Sequence, residues 1–120
     1  MSEMLSRLRE ICLALPEVTE RLSHGAPTWF VRGKRSFATV WLDGHHDLAI
    51  AHLWCAAGPD VQEALVGSRP ERFFRPPYVG HRGWLGVRLD EGIDVDELAD
   101  LLRDAYRVVA PARLSARLAG

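Results

Sequence analysis

Three β-rich runs follow one another between residues 28 and 54 with only short turns between them, and this restricts the fold more than any other feature of the chain. The runs are Thr28–Arg32, Ser36–Leu42 and Leu48–Trp54. Their aromatic and β-branched residues suit a pleated surface. A two-residue turn at Gly33-Lys34 and a second turn over Asp43–Asp47 join them. Strands linked this way pair antiparallel. A doubly wound parallel sheet would need a helix between successive strands. In the third run both faces are largely apolar, which predicts a central strand covered on two sides.

Helices are expected on either side of this block. Met4, Leu5, Leu8, Ile11, Cys12 and Leu15 recur at helical spacing behind a potential Ser2 cap, and Pro16 ends that helix. Residues 17–27, punctuated by Gly25 and Pro27, read as irregular. Gly58-Pro59-Asp60 opens a short helix, with proline in its first turn, and Gly67 ends it. Strands follow at Arg72–Phe74 and Trp84–Leu89, separated by a segment rich in proline. In the later one Leu85, Val87 and Leu89 share a face, and Trp84, Gly86 and Arg88 the other. The last helix is the clearest: Asp94 and Glu97 have capping-box spacing, Val95, Leu98, Leu101, Leu102, Ala105 and Val109 form its apolar face, and Pro111 stops it. The residues after Pro111 form either one more helical turn or a frayed end. The expectation is an α+β fold, an antiparallel sheet with helices packed against it, in a single domain over residues 1–120.

Composition narrows the function classes. A hydrophobic fraction of 48% in 120 residues supports an ordinary core. Cys12 and Cys55 are too few for a disulfide framework or a four-cysteine zinc site. Met1–Glu10 holds acids and arginines rather than an apolar run, so no signal peptide is expected, and no stretch is long enough to span a bilayer. A cytoplasmic protein with reduced thiols is the expectation.

A net charge of −1 argues against a protein that coats nucleic acid indiscriminately, but the charges are sorted by segment. Residues 28–42 hold Arg32, Lys34 and Arg35 and no acid. Residues 69–89 hold five arginines against Glu71. Residues 90–104 hold seven acids against Arg103. Lys34 is the only lysine beside 14 arginines, a bias of the kind that GC-rich codons produce without selection for binding.

The candidate chemistry is sparse. His45, His46, Asp47 and His52 lack any standard zinc spacing, so no metal is expected. No serine lies in a nucleophile elbow, both cysteines fall on apolar segments, and no glycine-rich loop has nucleotide-binding spacing. Neither catalytic residues nor a cofactor are therefore expected. The stretch from Arg69 to Arg88 interleaves arginines with Phe73, Phe74, Tyr78 and Trp84. Two readings stand. Arginines can hold phosphates while rings stack on bases, or the rings fill the core while the arginines solvate a hairpin.

Three blocks carry a family resemblance. The first is His24-Gly25-Ala26-Pro27-Thr28-Trp29-Phe30 with Gly33-Lys34-Arg35-Ser36-Phe37-Ala38. The second is Pro70-Glu71-Arg72-Phe73-Phe74 with Pro77-Tyr78-Val79-Gly80-His81-Arg82-Gly83-Trp84, and the third is Ala105-Tyr106-Arg107-Val108-Val109-Ala110-Pro111. In this order they resemble the MmcQ/YjbR-like family of small bacterial proteins. The resemblance implies a double-wing α+β domain in which β-hairpins project as wings, and it implies DNA binding, by likeness to the wings of a phage transcription activator. Carried onto this chain, phosphate contacts would fall to Arg32, Lys34, Arg35, Arg75, Arg82 and Arg107, giving modest, salt-sensitive binding to DNA. The family often places two basic residues after the proline of the third block, whereas here Ala112 and Arg113 follow Pro111. The alternative is a small-molecule or protein-interaction module in which His24, Tyr78, His81 and Trp84 line a cleft.

Overall fold

The structure is a computed structural model that describes residues 3–45, 48–90 and 92–118. Its elements run α1 (Glu3–Leu13), β1 (Val18–Ser23), β2 (Ala26–Val31), β3 (Arg35–Trp41), β4 (His52–Cys55), α2 (Val61–Ser68), β5 (Phe73–Phe74), β6 (Leu85–Arg88), α3 (Val95–Val109) and α4 (Ala112–Ser115), with a 3-10 turn at Gly80–Arg82. The six strands form one sheet in the order β1-β2-β3-β4-β6-β5, antiparallel at every pairing. The α+β expectation holds. The potential Ser2 cap lies outside the described residues.

Several boundaries differ from the sequence reading. Residues 17–27 are not irregular: Val18–Ser23 is the edge strand β1, paired along its length with Ala26–Val31. The third run contributes only His52–Cys55 as strand, because His45 and Leu48 bridge each other in a tight turn. That strand is nevertheless buried throughout and central, as its apolar faces require. Asp60, with φ 67°, precedes α2 without a capping hydrogen bond, so Pro59 lies outside the helix, while Gly67 lies inside it. The β2–β3 turn centres one residue early. Arg32 and Gly33 both have positive φ (56° and 68°), the type I′ signature, and Lys34 N–H donates to Val31 O at 3.0 Å.

One irregularity in the sheet matters later. The β2–β3 register shifts between Trp29↔Ala38 and Phe30↔Ser36, which leaves Phe37 as an extra residue, a β-bulge. Phe37 swings into the helix layer and meets Tyr106 edge-on, with ring centroids 5.7 Å apart.

The core fills the space between one face of the sheet and α1 and α3. Leu8 and Cys12 of α1 and Leu98, Leu102, Ala105 and Tyr106 of α3 are fully buried with Val40, Leu53, Leu85 and Val87 of the sheet. Tyr106, absent from the apolar face read in the sequence, donates its hydroxyl to Pro16 O at 2.8 Å. Val95, placed on that face, is substantially exposed. Asp94 caps α3 by accepting from Asp96 N–H at 2.9 Å, but Glu97 does not close a capping box: its carboxylate pairs with Arg69. The chain after Pro111 makes one more helical turn and buries Leu114.

Candidate functional site

On the other face of the sheet the cover is the segment between β5 and β6, pinned by a side chain of α2. Residues 75–84 fold across it, held by Gln62, whose side-chain amide donates to Gly80 O and Trp84 O at 2.9 and 2.5 Å. Loops cover less than helices do, and a cleft of about 510 Å³ stays open between this loop and the sheet. Such a volume is in the range of small-molecule sites.

The cleft is built mainly from aromatic rings. Trp41 and Trp54 project from adjacent strands, with Thr39↔Trp54 and Trp41↔His52 in register and the indole centroids 5.1 Å apart. His45 lies on Trp41 at 3.8 Å between centroids and meets Trp54 edge-on. Trp84 and Tyr78 complete the aromatic walls from the covering loop, and Arg82 sits over the Trp84 ring at 5.5 Å. The indole N–H groups of Trp41 and Trp54 are covered and have no acceptor, so neither is a donor open to the cleft.

Polar groups enter from β2 and β3. The Thr28 hydroxyl donates to Ala26 O at 3.0 Å. It has one proton, so in the 3.1 Å Thr28–Thr39 contact Thr39 donates, leaving lone pairs on the Thr39 oxygen. Ser36 also lines the cleft, although it stands three residues from Thr39. A regular strand would place them on opposite faces. The bulge at Phe37 brings both to the same one.

Two residues at the rim have left-handed backbone. His24 has φ 53° and Tyr78 has φ 64°. Histidine tolerates this region better than a bulky aromatic, for which it is strained. Tyr78 is 68% exposed.

Of the cleft residues expected from sequence, His24, Tyr78 and Trp84 come together, while His81 in the 3-10 turn is not among the lining residues. Trp41, His45, Trp54, Ser36 and Thr39 were not foreseen. The signal they carry is two tryptophans and a threonine on one strand face, which depends on a register invisible in sequence.

The six cations expected to touch phosphate fall in three places. Arg32, Lys34 and Arg35 stand at the β2–β3 turn, beside the C-terminal end of α3. Arg75 and Arg82 belong to the loop over the cleft, Arg75 reaching Gln62 at 3.4 Å. Arg107 is on α3, behind the opposite face, paired with Asp104 at 3.2 Å.

Elsewhere the ionisable groups read as structural. Burial pushes the Cys55 thiol up to about 12 and raises Cys12 as well, which keeps both as poor nucleophiles. His52 is buried, bonds Ile50 O through Nδ1 at 2.8 Å, and is pulled below its ordinary pKa, chiefly by burial. Among the described residues no group of three potential ligands converges to hold a metal; His46 and Asp47 lie outside them. No helix there is long and apolar enough to cross a membrane.

Comparison with known proteins agrees with this fold. A crystal structure of Deinococcus radiodurans protein DR2400, with a DUF419 domain, superposes with a TM-score of 0.72 over 88% of this chain and 77% of that one, at 23% identity. That likeness concerns the fold. No curated protein matches the chain. The family model YjbR matches residues 13–108, which takes in all six strands, the cleft and α3 except its last residue. The chain belongs to the YjbR family.

Proposed function

We propose that this protein is a non-enzymatic DNA-binding module that holds phosphates at the end of the molecule formed by the β2–β3 turn and α4. One observation carries the reading: two of the cations gathered there are spent on neutral carbonyls, and the salt bridges of that end converge on a single acid, Glu17. Arg21 donates to Gly33 O at 3.1 Å and Arg35 to Val109 O at 3.3 Å, backbone carbonyls that leave their charge uncancelled. Lys34 is exposed between them. Arg113 and Arg117 act on the same side, near enough to Glu17 to lower its pKa together with its main partner Arg32. Glu17 bonds Arg32 at 2.8 Å and compensates about one of these charges. Asp96, Glu97 and Asp100 lie in the N-terminal half of α3 and Asp104 is paired with Arg107, while Val109, next to the turn, is its last residue. An anion approaching the turn is attracted, and the acidic part of α3 lies away from it.

Fluorescence anisotropy with labelled single- and double-stranded DNA tests this. With about four phosphate contacts, raising salt from roughly 50 to 200 mM weakens binding on the order of a hundredfold. The Lys34→Ala/Arg35→Ala variant loses most of the binding. Absence of binding at micromolar protein and low salt removes the DNA assignment.

A further inference from the structure

The aromatic cleft is a different surface from the basic turn, and its composition specifies a ligand. Its walls are the rings of Trp41, Trp54, Tyr78 and Trp84, which favour a flat, polarisable group. Among the described residues no carboxylate lines it, and Arg82 supplies a guanidinium, so an anionic substituent is preferred. The Thr39 oxygen, its proton committed to Thr28, can only accept, so it calls for an N–H on the ligand. Two departures from regular backbone serve this one space. The Phe37 bulge aims Ser36 into it, and the left-handed Tyr78 sets a ring at its rim. Bulges and strained non-glycine residues gather where a side chain must be placed for function.

We propose that the cleft binds one planar aromatic heterocycle bearing an N–H donor and an anionic substituent, the chemistry of a nucleobase with its phosphate. The ring stacks between Tyr78 and the indoles, its N–H meets Thr39 or Ser36, and its phosphate meets Arg82. The same chemistry can arrive as a free mononucleotide or as one unpaired base of a strand. This inference does not rest on the basic-turn reading, and the two can fail separately.

The test is titration of the full ¹⁵N-labelled chain with AMP, GMP, CMP and UMP in turn, following the four indole N–H resonances. Trp29 is an internal control: it is fully buried and its Nε1 donates to Glu20 at 3.0 Å, behind the cleft. The expected result is saturable shifts of Trp41, Trp54 and Trp84 with little change at Trp29, at a dissociation constant below about 1 mM. Tyr78→Ala weakens binding about tenfold, as loss of one stacking partner does. Arg82→Gln weakens the nucleotide but not the corresponding nucleoside. Lys34→Ala/Arg35→Ala binds mononucleotides as the native chain does. A duplex with a single unpaired adenine, compared with a fully paired one, separates the sources. Shifts with mononucleotides identify a free ligand, and shifts with the unpaired base alone identify a strand. If neither produces saturable cleft shifts, or if a folded Tyr78→Ala variant binds both probes unchanged, the inference is wrong.

Discussion

The two faces of the sheet solve the same covering problem with different materials. One is sealed by α1 and α3, which bury aliphatic side chains together with Phe37 and Tyr106. The other is roofed by a loop containing Pro76 and Pro77 and pinned by Gln62, and it keeps a cleft lined by tryptophans and histidines. Helices bring a continuous apolar stripe, so they can exclude water over a whole face. A loop must satisfy its own backbone and covers in patches. Stability is therefore concentrated on the first face, and a concave site has room on the second.

The largest effect that checks this division is expected at Leu102, fully buried under the helix-covered face. Leu102→Ala should cost about 2–5 kcal/mol in urea unfolding, while the indole shifts on ligand addition persist below the transition. A cost under about 1 kcal/mol would break the comparison, since a well-packed leucine cannot be removed so cheaply. The next largest is at Gly86, central on the cleft-side face. A Cβ there would lie 2.5 Å from the Phe74 ring, so Gly86→Ala forces a packed aromatic to move. Overpacking of this kind should cost about 1–3 kcal/mol, readable in the same unfolding curve.

The smallest effect concerns pH. His52 is held neutral by burial, with its pKa below the ordinary 6.5. As pH falls through that value the unfolded chain takes up the proton first, so the contribution of His52 is complete above about 6.5 and declines below it. The decline ends once the folded ring is protonated as well. Stability measured from pH 7.5 to 5 should fall more steeply in the native chain than in His52→Gln. Equal slopes would mean that the ring is open to solvent and that the cleft-side face is looser than described.

How much of this was legible beforehand follows the same division. The helix-covered face announces itself through periodicity, in Leu98, Leu102 and Ala105 of α3 and Leu85 and Val87 of β6. Strand β1 was hidden because an edge strand needs few apolar residues: its pattern rests on Val18 and Leu22, framed by Pro16 and Gly25. The cleft was half visible. His24, Tyr78 and Trp84 stood out through family resemblance, whereas Trp41 and Trp54 look like core until β3–β4 register sets them side by side. Salt-bridge partners were also out of reach. Glu97 has capping spacing, yet its carboxylate is drawn to Arg69, 28 positions away, a choice that only the folded chain can make.

The Tyr106 hydroxyl on the Pro16 carbonyl spans 90 positions of sequence, and this bears on how the protein is made. While the chain is still being synthesised, the link between α1 and β1 lacks this anchor until α3 has left the ribosome. The β1–β2 and β2–β3 hairpins can pair as they emerge, since each is local, but the side of the sheet that α3 seals remains open to other sticky surfaces until α3 has emerged. A shortened product ending before Tyr106 would thus be a target for chaperones and proteases rather than a smaller working version. Late closure of long-range contacts also slows folding relative to local ones, so the emergence of α3 sets the moment at which this face of the sheet is protected in a crowded cell.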